Sequence, residues 1–222
     1  MSENASRVLA DLTANIAKIC KIARREEDEV TLVAVSKMHS AEEITPLLDA
    51  GQRVFGENRV QEAQDKWPAL KQQYDDVELH LVGQLQSNKA DDAVALFDVI
   101  HSLDRPSLVK ALAKAMDKAD RRIPCFVQVN IGAEDQKGGC LIADVPALLD
   151  EVRAANIPLA GLMCVPPMGT EAAPFFHLLD KLARDNGLDG LSMGMSGDYE
   201  TAIRLGATHI RVGTALFGAR EV

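Results

Sequence analysis

The chain has 222 residues, of which 47% are apolar and 26% charged, a composition ordinary for a globular protein with a sizeable core. Its net charge of −9 excludes a general nucleic-acid-binding or anionic-membrane surface, because both need a basic footprint. The first residues do not resemble a signal peptide, and the apolar-rich stretch 157–168 is too short to span a bilayer. The four cysteines lack metal-site spacing, which predicts reduced thiols in a cytoplasmic protein.

Strand-like and helix-like segments alternate after a leading amphipathic helix predicted at 5–27. This helix should end before or within the acidic run 26–29, because carboxylates oppose the negative end of a helix dipole. The predicted strands are 31–36, 53–55, 78–82, 98–102, 125–130, 159–164, 190–193 and 208–212. The predicted helices between them are 41–50, 59–73 with a break or end at Pro68, 89–97, 104–119, 144–155, 174–187 and 198–205.

This alternation implies parallel strands joined by right-handed crossovers. Eight strand–helix units in about 200 residues predict an α/β fold, a (β/α)8 TIM-type barrel with an extra N-terminal helix. We expect a single domain covering residues 1–222. An open doubly wound sheet is the alternative, although the first strand lacks the Gly-x-Gly-x-x-Gly turn of a dinucleotide-binding version.

Two glycine-rich segments, 192–198 and 211–214, follow the last two predicted strands. Glycines let backbone N–H groups approach a ligand closely, and the hydroxyls of Ser196 and Thr214 add further donors. The loops after strands seven and eight are also the recurrent phosphate position in this kind of barrel. The segments therefore predict a phosphate site, with ordinary helix capping as the alternative.

Lys37 closes the most apolar predicted strand and should point toward the same face as these loops. A partly desolvated lysine amine has a lowered pKa and can condense with an aldehyde. An aldehyde together with a phosphate suggests pyridoxal phosphate, held as a Schiff base. Arg211 would face the same mouth, where a guanidinium that only donates hydrogen bonds would keep the pyridine nitrogen unprotonated. The alternatives are a solvated Lys37 and an Arg211 salt bridge.

Motifs in family order support a more specific interpretation. Matching stretches lie at 33–37, 55–58, 83–89, 101–104, 129–131, 136–139, 161–163, 191–198 and 211–218. On these residues the chain resembles the pyridoxal phosphate homeostasis protein family, single-domain relatives of the alanine racemase barrel. The resemblance implies a Schiff base on Lys37, with Arg211 at the pyridine nitrogen and Asn58 near the ring hydroxyl. The predicted cofactor-binding residues are Lys37, Asn58, Met193, Ser196, Arg211, Gly213 and Thr214, with Ser196, Gly213 and Thr214 on the phosphate.

Some positions near the predicted site leave more than one role open. Lys137 matches a family lysine that helps in handing the cofactor on, or else is a solvated loop lysine. The family has threonine and proline soon after the Schiff-base lysine and an aromatic residue at position 59, whereas this chain has 38–40 as Met-His-Ser and Arg59. His39 either tunes the proton affinity of Lys37 or lies at the rim.

The resemblance implies a non-enzymatic carrier that stores and delivers pyridoxal phosphate and maintains intracellular vitamin B6 homeostasis. The alternative is a pyridoxal-phosphate-dependent amino-acid racemase, which needs a proton acceptor on each face of the substrate carbon. In full-length racemases a second domain supplies the opposing tyrosine; here ten residues follow the last strand, and neither Tyr74 nor Tyr199 is an obvious second base. We expect a cytoplasmic monomer, with pyridoxal phosphate as ligand and apo-enzymes that use it as transient recipients.

Overall fold

The computed structural model describes residues 2–218 and confirms the predicted TIM barrel. Eight parallel strands form a closed barrel in sequence order, and the first strand pairs with the last. The strands are β1 Thr31–Val35, β2 Val54–Glu57, β3 Glu78–Leu81, β4 Val99–Leu103, β5 Cys125–Val129, β6 Leu159–Cys164, β7 Leu191–Met195 and β8 His209–Val212. Because all are parallel, their carboxyl ends meet at one rim of the barrel.

Helices surround the barrel between the strands. They are α1 Ser2–Ala23, α2 Ala41–Asp49, α3 Val60–Gln73, α4 Ala90–Leu96, α5 Pro106–Ala119, α6 Val145–Ala154, α7 Ala173–Asp185, α8 Tyr199–Arg204 and α9 Thr214–Phe217. Short 3-10 turns lie at Glu27–Glu29, Ser87–Lys89 and Ile142–Asp144. The four-residue α9 is absent from the sequence prediction, because so short a segment carries no periodicity.

The acidic run lies outside the leading helix, as predicted. Helix α1 ends at Ala23, and Arg24 adopts a left-handed conformation with φ of 58°. Arg25 then donates from Nη1 to the carbonyl oxygens of Ala207 at 2.7 Å and Ile203 at 3.0 Å. These bonds fasten the end of α1 to the segment that leads into β8.

The predicted break or end of α3 at Pro68 is wrong, because the helix continues through this residue to Gln73. A proline inside a helix costs about 3 kcal/mol. On either side of it Trp67 is fully buried and Leu70 nearly so. Burying two large apolar side chains contributes about 1.5–3 kcal/mol each, which offsets the loss. Tertiary packing thus overrides the local signal.

Two apolar clusters fill the molecule. The large one lies between the strands and the helices, and a small one contains Val99, Phe126 and Met163. Phe126 contacts the ring of His101 on β4 and that of His209 on β8, so the small cluster lies inside the barrel.

All four cysteines are buried and unpaired. No helix within residues 2–218 is long and apolar enough to cross a membrane.

Gly161 marks a close approach between β6 and the start of β7. It has φ of +147°, and a Cβ atom there would lie 2.0 Å from the carbonyl oxygen of Gly190. We expect Gly161→Ala to lower the free energy of unfolding, measured in urea. The steric part of this loss should be about 1–3 kcal/mol, in addition to the cost of the positive φ, because the backbones of residues 161 and 190 must move apart.

Gly169→Ala is the matched control, since Gly169 also has positive φ (+74°) but nothing within 4 Å of the added Cβ. Its expected loss is only the left-handed penalty of about 1–2 kcal/mol. Equal urea midpoints for the two variants would contradict the predicted steric clash.

Candidate functional site

A cavity of about 420 Å³ opens at the carboxyl ends of the strands, a size that holds a small organic ligand. Its lining includes six of the seven predicted cofactor-binding residues: Lys37, Asn58, Ser196, Arg211, Gly213 and Thr214. The structure thus brings together residues from β1, β2, β7 and β8 and the turns that follow them. The remaining lining residues are Val35, His39, Val82, Val165, Met195, Gly197 and Gly218.

Met193 is the predicted residue that does not line this cavity. Its side chain is fully buried in the large cluster between the strands and the helices. Side chains alternate along a strand, and its neighbour Ser192 faces the barrel interior, where it contacts His101. Met193 therefore points the other way.

Lys37 follows the end of β1 and is partly buried. Within residues 2–218 its side-chain amine forms no hydrogen bond and no ion pair. A partly buried lysine normally pairs its charge, so an unpaired amine on a cavity wall is a candidate nucleophile. This placement is the one expected for a lysine that condenses with an aldehyde.

Lys66 of α3 stabilises the backbone on both sides of Lys37. The Lys66 ammonium donates to the carbonyl oxygens of Ser36 and His39, each at 2.9 Å. Between them Met38 has φ of 64°, a conformation uncommon for a residue with a side chain. Its backbone N–H donates to the Glu62 carboxylate. The turn that carries Lys37 is therefore fixed on both sides.

Glu57, at the end of β2, is the fully buried partner of Lys66. Its Oε1 lies 2.9 Å from the Lys66 ammonium and accepts hydrogen bonds from the Ser36 hydroxyl at 2.6 Å and the Trp67 indole at 3.0 Å. The other oxygen, Oε2, accepts none from the described residues. The pair ties β1, β2 and α3 together beneath Lys37. The sequence gives no signal for Lys66, since a helical lysine is normally solvated.

The turns after β7 and β8 build the side of the cavity where the sequence predicts the phosphate. Asp198 Oδ1 accepts from the backbone N–H of Met195 at 2.6 Å, which closes the first turn. Ser196 Oγ accepts from the N–H of Ala215 at 3.4 Å, which links the two turns. Gly194 has φ of +94°, and a Cβ there would lie 2.5 Å from that of Ala202. Hydroxyls and glycine backbone in this arrangement suit a phosphate oxyanion.

Arg211 lies at the floor of the cavity and is only 5% exposed. Its Nη1 donates to Ser192 Oγ at 2.6 Å and its Nη2 to the Cys164 carbonyl oxygen at 2.9 Å. No carboxylate within residues 2–218 forms an ion pair with it, which removes the salt-bridge alternative for that part of the chain. Burial lowers the pKa of the guanidinium from its ordinary value, but an arginine remains charged in proteins.

His39 lines the cavity, and its ring stacks on Phe217 of α9 with 4.3 Å between ring centroids. Its Nδ1 also lies 3.3 Å from Glu43 Oε1.

Lys137 is not among the lining residues. Its ammonium pairs with Glu134 at 2.6 Å and donates to the Pro166 carbonyl oxygen at 2.9 Å, which fastens the loop after β5 to the loop after β6.

Two histidines in the barrel interior, the fully buried His101 and the partly buried His209, should make stability fall on acidification. Burial, together with His80, lowers the pKa of His209 to about 4 and that of His101 well below its usual value. An unfolded histidine binds a proton below about pH 6.5, which the folded His209 does not do until about pH 4. Between these values the unfolded state binds more protons, so stability rises with pH.

We therefore expect the free energy of unfolding to fall as pH drops from about 6.5 to 4, by up to about 3 kcal/mol for His209 alone. His209→Gln should flatten this dependence in urea titrations across the pH range. His177→Gln is the control, because His177 is exposed. A pH dependence that is identical in the two variants would contradict this assignment.

The closed TIM barrel places a lysine amine and two glycine-rich turns with hydroxyls on one cavity, a combination suited to a phosphorylated carbonyl compound. Residues 8–221 match the family described as alanine racemase, N-terminal domain. The chain is 39% identical to the pyridoxal phosphate homeostasis protein of Pseudomonas aeruginosa, covering 96% of this chain and 94% of that one. It is 37% identical to the protein of the same name from Aquifex aeolicus, covering 98% and 99%.

A solved structure of PipY from Synechococcus elongatus PCC7942 with pyridoxal phosphate bound superposes with a TM-score of 0.86. The two chains are 37% identical, over 96% of this chain and all of PipY. On these matches the chain belongs to the pyridoxal phosphate homeostasis protein family, within the alanine racemase N-terminal domain class, as its motifs predict.

Proposed function

We propose that this protein binds pyridoxal phosphate on Lys37 and acts as a carrier that stores and delivers the cofactor, maintaining vitamin B6 homeostasis in the cytoplasm. The observation that carries the proposal is the Lys37 amine, which has no partner within residues 2–218 and lies on the same cavity as the Ser196 and Thr214 hydroxyls. An amine for the aldehyde and donors for the phosphate are the two requirements of this ligand. The bound cofactor supplies a reversible covalent link, formed with loss of water.

The other lining residues fit the rest of the ligand. Ser196, Gly213 and Thr214 are assigned to the phosphate, and Asn58 to the ring hydroxyl. Arg211 is assigned to the pyridine nitrogen, because its buried charge has no carboxylate partner among the described residues and can only donate. The relatives named for pyridoxal phosphate homeostasis and the pyridoxal phosphate in PipY support pyridoxal phosphate as the ligand.

The carrier role is favoured over racemisation by the placement of the bases. A racemase needs a second proton acceptor facing the lysine across the substrate carbon. Tyr74 is partly buried just after α3 and donates to Asp49, and Tyr199 accepts from Asn15 of α1; neither lines the cavity. The lining histidine, His39, lies on the turn that carries Lys37. The racemase alternative rests on the family likeness alone.

Transfer to an apo-enzyme tests the carrier role directly. The holoprotein is mixed with an apo-form of a pyridoxal-phosphate-dependent enzyme, or separated from it by a dialysis membrane, and the activity of the acceptor is followed. We expect activation in the mixture to outpace activation across the membrane, because direct recipients receive the cofactor by contact. Equal rates would show simple release. Sustained racemisation of alanine or serine by the holoprotein would overturn the carrier proposal in favour of an enzyme.

We also propose that the protein works as a monomer and that its recipients are transient partners. Analytical sedimentation of the holoprotein, alone and with an apo-enzyme, tests both statements. A single species at the mass of one chain is expected for the holoprotein alone.

A further inference from the structure

A continuous chain of side-chain hydrogen bonds runs through the barrel interior and ends on Arg211. Arg211 Nη1 lies 2.6 Å from Ser192 Oγ, which lies 2.7 Å from His101 Nδ1. His101 Nε2 lies 2.8 Å from His80 Nδ1, and His80 Nε2 lies 2.8 Å from Glu78 Oε1. Since β7 and β4 are not neighbours in the sheet, the contact between Ser192 and His101 crosses the barrel.

The chain joins the two ends of the barrel. Glu78 is the first residue of β3 and its side chain is 49% exposed at the amino-terminal end. His80, His101 and Ser192 are fully buried. Arg211 faces the cavity at the carboxyl-terminal end. Four buried polar side chains in a barrel interior are not needed for packing, since apolar residues of similar size would fill the same space.

A single direction of donation fits the whole chain of hydrogen bonds. Arg211 can only donate and the Glu78 carboxylate can only accept, so the protons can run in order from one end to the other. In this order Ser192 accepts from Arg211 and donates to His101 Nδ1. The proton of His101 is then on Nε2, and this N–H donates to His80 Nδ1. His80 then donates from Nε2 to Glu78. His101 is neutral in this arrangement, in agreement with its lowered pKa.

We propose that His101 is a positioning residue for the cofactor site. Through Ser192 it fixes the guanidinium of Arg211 at the ring-nitrogen end of the cavity, and His80 and Glu78 fix the tautomer of His101 from the opposite end of the barrel. The inference rests on the proposed binding of pyridoxal phosphate. A supporting residue locked by its own hydrogen bonds is how proteins hold a site group in one orientation.

The titratable and charged groups around the chain are consistent with this role. Burial is the largest cause of the lowered pKa of His101, and His80 on β3 and His209 and Arg211 on β8 lower it further. At the exposed end the bond from His80, with His209 and Lys71 nearby, lowers the pKa of Glu78 and keeps it an acceptor. A group that only accepts at one end and a group that only donates at the other limit the patterns open to the protons between them.

The test compares His101→Leu, His101→Asn and Phe126→Leu as holoproteins. His101→Leu removes the link, whereas His101→Asn keeps an acceptor close to the Nδ1 position. Phe126→Leu is the packing control, because this ring lies 4.5 Å from that of His101 without a hydrogen bond. The readouts are the dissociation constant of pyridoxal phosphate and the pH titration of the absorbance of the bound cofactor. Ser192→Ala tests the same link with a smaller change if His101→Leu does not fold.

We expect His101→Leu and Ser192→Ala to bind pyridoxal phosphate about tenfold more weakly, the equivalent of one lost hydrogen bond to a charged group. Their absorbance titrations should gain a step, because the ring nitrogen no longer faces a fixed donor and takes up a proton. His101→Asn should behave like the parent protein, as should Phe126→Leu. Parent-like affinity and titration in both His101→Leu and Ser192→Ala would overturn the inference, whereas no covalent cofactor in the parent protein would overturn the proposed function instead.

Discussion

Lys37→Ala is expected to bind pyridoxal phosphate about 100-fold or more weakly than the parent chain, a loss of about 3 kcal/mol. The reason is that the variant keeps the phosphate and ring contacts of the cavity but loses the amine that forms the covalent link. It should also lose the Schiff-base absorbance band. Equilibrium dialysis and absorbance spectra measure the two effects. The free energy of unfolding should change little, because the amine makes no hydrogen bond or ion pair within residues 2–218.

Two further lysine variants make this result specific. Lys110→Ala removes an exposed lysine of α5 and should bind like the parent chain. Lys137→Ala removes the lysine that fastens the loops after β5 and β6, and it should keep the absorbance band even if the rate of transfer to an acceptor changes. A Lys37→Ala protein with parent-like affinity and spectrum would contradict the assigned role of Lys37.

Lys66→Ala should lower the free energy of unfolding by about 3–5 kcal/mol, the largest stability effect we expect. The substitution leaves Glu57 as an uncompensated charge with no exposed surface, and it also removes the donor to the Ser36 and His39 carbonyl oxygens. Since those carbonyl oxygens flank Lys37, cofactor affinity should fall as well. Urea unfolding and equilibrium dialysis measure the two losses.

The double variant Glu57→Leu/Lys66→Met distinguishes the effect of an unpaired buried charge from the effect of losing the Lys66 hydrogen bonds to the backbone around Lys37. Removing both members of a buried ion pair is often neutral or stabilising, so much of the stability should return. The affinity should stay low, because methionine cannot donate to the two carbonyl oxygens. If the double variant were as unstable as Lys66→Ala, the loss would not be due to an unpaired Glu57.

The strand pattern was predictable from the sequence because parallel strands covered by helices are buried on both faces and carry continuous apolar runs. The clearest case is 159–164, which forms β6 with the predicted bounds. Pro68 was misleading because the burial of Trp67, which depends on packing against other elements of the fold, outweighs the local cost. Helix α9 was missed because four residues give no periodic signal.

The cavity residues were predictable where they follow strands, since parallel topology alone brings such ends together. Lys37 and Thr214 lie 177 positions apart in sequence and still line one cavity. The supporting residues were not predictable. The sequence around Lys66 predicts an ordinary solvated lysine on a helix. The contact of His101 with Ser192 joins two strands that are not adjacent in the sheet. Such contacts require the closed barrel and its register.

Mapping the attached cofactor tests the central claim most directly. The holoprotein is reduced with borohydride, digested, and analysed by mass spectrometry for peptides that carry a pyridoxyl group. The account predicts the modification on the peptide that contains Lys37, at the end of β1, and its loss in Lys37→Ala. Modification of another lysine in the parent protein, with Lys37 unmodified, would contradict the account.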